Sequence, residues 1–180
     1  ILYSKAYSEL VVFGAEIAQI IASSVTALSK GEMMDVAMAK EFNADEDKYL
    51  DMLYLKTASL IEASAASAAI LAGKDPKAYA LYGKNLGLSF QIIDDILDIT
   101  ADESTLGKPA MNDFVEGKCT LPYIHLYKEL DDEQRARLVS LHAKKTNEQD
   151  GAWLALKLKE YSTIERSFEL AKQLSDAAKN

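Results

Sequence analysis

Three carboxylates lie inside an otherwise apolar stretch, Gly87-Leu88-Ser89-Phe90-Gln91-Ile92-Ile93-Asp94-Asp95-Ile96-Leu97-Asp98. On a helix, Asp94 and Asp98 share a face one turn apart. Gln91 and Gly87 extend that face backwards, whereas Asp95 points about 100° away and is open to a different role. Like charges at this spacing repel. Near a helix C-terminus they also oppose the dipole, and burying them unpaired would cost more still. A hard divalent cation offsets these penalties. Magnesium takes oxygen ligands, keeps several waters, and is often held by one or two carboxylates together with substrate phosphates. The competing reading, a solvated helix edge, is weakened by the flanking Ile92, Ile93, Ile96 and Leu97.

Candidate cations occur on both sides. Lys56-Thr57 interrupts an apolar run of Leu53, Tyr54, Leu55, Ala58, Leu60 and Ile61. Such a lysine either snorkels to solvent or reaches an anion in a cavity. Two glycine–lysine pairs, Gly107-Lys108 and Gly117-Lys118, follow the aspartate segment. Glycine before lysine is common at phosphate sites and equally common in surface loops. Glu32 and Asp35 read more simply as helix-start and polar positions beside core methionines. His125, His142 and Cys119 have no partner at ligand spacing and read as structural, and the tyrosines as core.

Positioning these groups requires long helices, and apolar residues recur at three- and four-residue steps almost throughout. A first helix is predicted from the start to about Leu28, capped by Gly31, then a short one from Glu32 to Lys40. Asn43 or Asp45 caps a helix to Leu71, ended by Gly73. Asp75-Pro76 opens the aspartate helix, which runs to Ile99. A loop over 101–110 follows. Helix resumes near Asn112, pauses at Gly117 and continues past Pro122 to Leu130. Asp131 caps a helix to about Lys145, and the last helix runs from Gly151 to Ala178. No strand pattern is present.

The bulk numbers agree with an all-α globular domain: 180 residues, 49% hydrophobic, 27% charged, eight glycines and three prolines. Net charge of −8 argues against nucleic acid as a partner. A single cysteine allows no internal disulfide and suggests a reducing, cytoplasmic setting. No apolar run is long enough for stable membrane insertion.

As a set and in order, Gly31-Glu32, Lys56-Thr57, Phe90-Gln91-Ile92-Ile93-Asp94-Asp95-Ile96-Leu97-Asp98, Gly107-Lys108 and Gly117-Lys118-Cys119-Thr120-Leu121-Pro122 resemble the trans-prenyl diphosphate synthase family. The resemblance covers about residues 1–130. It implies an antiparallel helical bundle of the isoprenoid synthase type, with residues 1–180 forming one all-helical domain equivalent to the C-terminal two-thirds or so. The family carries an earlier aspartate-rich motif followed by two arginines. Both would lie upstream of Ile1, so the chain as given is expected to be a fragment without that half of the metal site and the first helices. The implied reaction joins isopentenyl diphosphate to an allylic diphosphate by magnesium-assisted ionisation. By the same resemblance Asp94 and Asp98 are the metal residues, Asp94 binding directly and Asp95 and Asp98 acting through water or orienting ligands. Lys56, Lys108 and Lys118 would contact the allylic diphosphate, and Thr57 and Gln91 would shape the site. A homodimer is implied as well. The alternatives are a terpenoid cyclase-like ionising enzyme and a non-catalytic helical subunit.

Overall fold

The three-to-four-residue apolar periodicity becomes a set of packed helices. A computed structural model describes residues 2–100 and 111–179, and every regular element among them is helical. The predicted loop over 101–110, with Gly107 and Lys108, lies outside the described residues. Helix α1 covers Leu2–Leu10, and a single 3-10 turn, Val11–Phe13, leads into α2, Ala15–Met38. Next come α3, Glu46–Leu53, and α4, Ser59–Leu71, joined without a break by a π-helical turn, Tyr54–Ala58. The aspartate helix is α5, Pro76–Thr100. Four residues, Asn112–Val115, form α6; Leu121–Glu129 form α7 and Asp132–Leu141 form α8. The chain closes with α9, Glu148–Glu160, and α10, Thr163–Ala178.

Several boundaries follow the sequence signals. The side chains of Asp45, Asp131 and Asn147 accept the backbone N–H of Lys48, Gln134 and Asp150 and so satisfy helix-start donors. Four expectations need correction. The first helix breaks at Gly14, whose φ of 98° suits only glycine. Gly31 does not cap a helix at all: α2 runs through it to Met38. The final helix is two. Leu158 and Thr163 are both fully buried, yet a five-residue step turns a continuous helix about 140° off its face. Ser162, at φ 49°, resets the direction between them. Ala143, at φ 56°, likewise follows the end of α8 before the expected Lys145.

Helix α5 is the central element, packed on α4 and α10. The α4 contact is close and antiparallel: Gly83 abuts Glu62 and Gly87 abuts Ala58, so one register falls as the other rises. The buried core joins Leu53 of α3, Ile92 and Ile96 of α5, Phe114 of α6, Ile124 of α7 and Leu154 of α9. No helix among the described residues is long and apolar enough to cross a membrane.

Candidate active site

One cavity of about 280 Å³ gathers most of the chemistry. Its walls come from four segments: Asp35 and Met38 of α2; Tyr49, Met52, Leu53 and Lys56 of α3 and the π turn; Gln91, Asp94 and Asp95 of α5; and Asp113 with Lys118–Thr120 around α6. Lys56 sits in the π turn, a local widening of the helix that recurs at functional sites.

Two hydrogen-bond systems order the walls. In the first, Thr57 Oγ1 donates to Gln91 Oε1 at 3.0 Å. The Gln91 amide then donates to Asp95 Oδ1 at 3.1 Å and Asp94 Oδ2 at 3.3 Å. Tyr49, fully buried on α3, donates to the other Asp95 oxygen at 2.6 Å. Burial raises the Asp95 carboxyl to about 7 against these two donors, with Asp113 and Asp94 adding repulsion. Burial also drives the Tyr49 phenol well above its ordinary value.

The second system holds the lysines. Lys56 pairs with the buried Asp35 and, at 3.5 Å, with Glu32. Lys118 pairs with Asp113 at 2.7 Å and Glu116 at 3.0 Å. Burial works against both ammonium groups, yet the carboxylate hydrogen bonds outweigh it and hold both pKa values above the ordinary lysine range.

Of the sequence-predicted residues, Lys56, Gln91, Asp94, Asp95 and Lys118 therefore share one cavity, with Thr57 one bond behind Gln91. Asp98 stands one turn from Asp94 on the same continuous helix but does not line the cavity. Asp94 is exposed at the cavity, and Asp95 rather than Asp98 lines it beside Asp94. Asp98 is buried and accepts the Asp113 N–H at 2.9 Å, so it fixes the α6 end that carries Lys118's partner. Tyr49 and Asp113 belong to the cavity without having been singled out from sequence as site residues, and Asp35, weighed with Glu32 but read from sequence as structural, lines it too. A usable signal existed for Asp35, which stands one turn after Gly31 on α2. His142 Nε2 donates to the Gly117 carbonyl, 2.6 Å away, and His125 lies between Ser167 and Glu46. Burial pushes the Cys119 thiol far up, which removes it as a nucleophile.

The donor set suits a hard cation. Asp94 offers an exposed carboxylate, Asp95 and Asp113 add oxygen groups to the same cavity, and the Cys119 thiol that also lines it is kept protonated by burial. Among the described residues no three acidic, imidazole or thiol groups converge on one metal position. An ion held by one or two carboxylates, water and phosphate needs no such trio.

A model of the polyprenyl synthetase family matches residues 1–157. A short chain isoprenyl diphosphate synthase of Methanothermobacter thermautotrophicus is 34% identical, over 78% of this chain and 46% of its own. A geranylgeranyl diphosphate synthase of Saccharolobus solfataricus is 36% identical, over 88% and 49%. The crystal structure of octaprenyl pyrophosphate synthase from Helicobacter pylori superposes with a TM-score of 0.91 at 46% identity, covering 98% of this chain and 57% of that one. A polyprenyl synthase from Caulobacter crescentus, complexed with calcium and isoprenyl diphosphate, gives a TM-score of 0.89 at 28% identity, over 99% and 56%. The chain thus spans about half the length of the curated relatives it matches. From the order of its motifs, its helical architecture and these likenesses, the chain belongs to the polyprenyl synthetase family.

Proposed function

We propose that this chain carries the allylic-diphosphate side of a trans-prenyltransferase site that adds isopentenyl diphosphate to an allylic diphosphate and releases diphosphate. The observation that supports it best is the convergence of Lys56 and Lys118 on one small cavity with the exposed carboxylate of Asp94. Lys56 and Lys118 would bind the diphosphate oxygens. Asp94 would hold Mg2+, with Asp95 and Asp98 orienting the carboxylate helix and the α6 end. When bound, the metal would supply Lewis-acid neutralisation of charge on the departing diphosphate. Gln91 and Thr57 keep the two aspartates in register, so the site is arranged before substrate arrives.

A second, more open groove of about 570 Å³ lies between α2 and α4. Ser59, Ala63, Ala66 and Ile70 line it at three- and four-residue steps, opposite Ser23 and Ala27. Their small side chains leave room for a slender apolar tail. Lys108 remains a proposed diphosphate contact from its place in the motif alone. Residues 1–180 are proposed to act as one helical domain in a homodimer in a reducing cytoplasm, the last resting on the single buried Cys119.

The test is direct binding of an allylic thiodiphosphate to this chain by calorimetry, with and without Mg2+. Binding should require Mg2+ and weaken at least about tenfold in Lys56→Ala, the scale of losing a charged contact. Mg2+-independent binding, or an unchanged affinity in Lys56→Ala, overturns the assignment.

A further inference from the structure

We propose that Asp35 is the positioning residue for Lys56, holding its ammonium group towards the cavity against the pull of Glu32; this rests on the reading of Lys56 as a diphosphate contact. Two carboxylates compete for that ammonium. Asp35 is buried and lines the same cavity as Lys56. Glu32 stands 3.5 Å away, with its side chain 57% exposed, and lines a different surface depression with Met33, Val36 and Lys40. The two acids are three residues apart on α2, hence adjacent, but they draw the lysine in opposite directions.

The backbone enforces the inward choice. At Gly31 an added Cβ would lie 2.3 Å from the Lys56 backbone nitrogen, a distance no side chain tolerates. Glycine there lets α2 rest on the π turn, and one turn further along α2 Asp35 meets the Lys56 ammonium. A lysine has a long flexible stem and three donors. Asp35 takes one donor from the helix side and fixes the stem, leaving a donor for an anion in the cavity. Without the Asp35 charge, Glu32 is the nearest anion, and the ammonium turns outward.

The experiment is a double-mutant cycle on residues 1–180, titrating inorganic pyrophosphate in MgCl2 by calorimetry. Asp35→Asn should weaken binding at least about fivefold, within the range of measured pairwise couplings. In a Lys56→Met background the same change should alter affinity less than about twofold, because nothing remains to be positioned. Adding Glu32→Gln to Asp35→Asn should recover part of the loss, which a merely structural role for Asp35 would not allow. Equal losses in both backgrounds, tighter binding by Asp35→Asn, or no recovery overturns the proposal. If Asp35→Asn does not fold, Asp35→Glu decides: its displaced carboxylate should weaken binding only when Lys56 is present, and unchanged affinity overturns the idea. Absence of pyrophosphate binding by the parent chain overturns the diphosphate reading and this proposal together. Binding with additive effects overturns this proposal alone.

Discussion

Tyr49 and Gln91 donate to the two oxygens of Asp95, while Asp94, its neighbour in the chain, keeps an exposed carboxylate at the cavity. Adjacent residues of one type thus have separable duties. Asp95 ties α5 to α3, and Asp94 is available to a cation. Asp94→Ala should therefore leave stability within about 0.5 kcal/mol, because the carboxylate is exposed and its 3.3 Å hydrogen bond from Gln91 lies at the surface. In the protein that turns over, it should reduce incorporation of labelled isopentenyl diphosphate at least about 100-fold, the scale of losing a preorganised electrostatic group. Activity within a few-fold of the parent would remove Asp94 from the metal site. The aspartates, Gln91 and Lys56 were legible in the sequence because each interrupts an apolar pattern. Tyr49 and Asp35 were not. A buried tyrosine at helical spacing looks like core until its hydroxyl is seen on a carboxylate 46 positions away, and Asp35 sits in a segment whose acids equally suit a helix start.

Helix α2 shows why elements are harder to read than motifs. Glycine after a lysine at the end of a periodic run satisfies every local sign of a helix end. The contact of α2 with the π turn overrides it, because the missing Cβ at Gly31 serves close approach between helices instead of a turn. Likewise the α9–α10 break has no glycine or proline to announce it; only the five-residue step between Leu158 and Thr163 demands it. The cause is testable by sign. Gly31→Ala must push α2 off the Lys56 backbone, and overpacking of this kind costs about 1–3 kcal/mol. Gly151→Ala, in α9 with nothing within 4 Å of the added carbon, should instead stabilise by about 0.4–1 kcal/mol. For a chain of this size each kcal/mol moves Tm by about 2–4 °C. Thermal melts of the two variants should shift in opposite directions, and a rise for Gly31→Ala would contradict the packing contact.

Across the whole molecule, a polar cluster binds α3 to α7 and α10. Glu46 accepts from Lys128 at 2.6 Å, the buried His125 ring lies 3.7 Å from Glu46, and Ser167 meets its other nitrogen at 3.3 Å. Burial lowers the His125 pKa below its ordinary 6.5, helped by Arg166 and Lys128 and opposed by Glu46. As pH falls below about 6.5 the unfolded chain takes up this proton before the folded one, so the contribution of His125 to stability is lost on acidification. Glu46, held below 4.5 chiefly by Lys128, loses its contribution at lower pH still. Asp95 acts with the opposite sign. Its folded-state value of about 7 lies above that of an unfolded carboxyl, so the folded chain keeps the extra proton and gains stability as pH falls from 7 towards about 4. Between pH 7 and 5 the two groups therefore oppose each other in one melting curve. Removing each should expose the other: His125→Asn should make Tm rise, or fall less, on acidification than in the parent, and Asp95→Asn should make it fall more steeply. Parallel pH–Tm curves for the parent and both variants would show that neither group titrates differently in the folded bundle and in the unfolded chain.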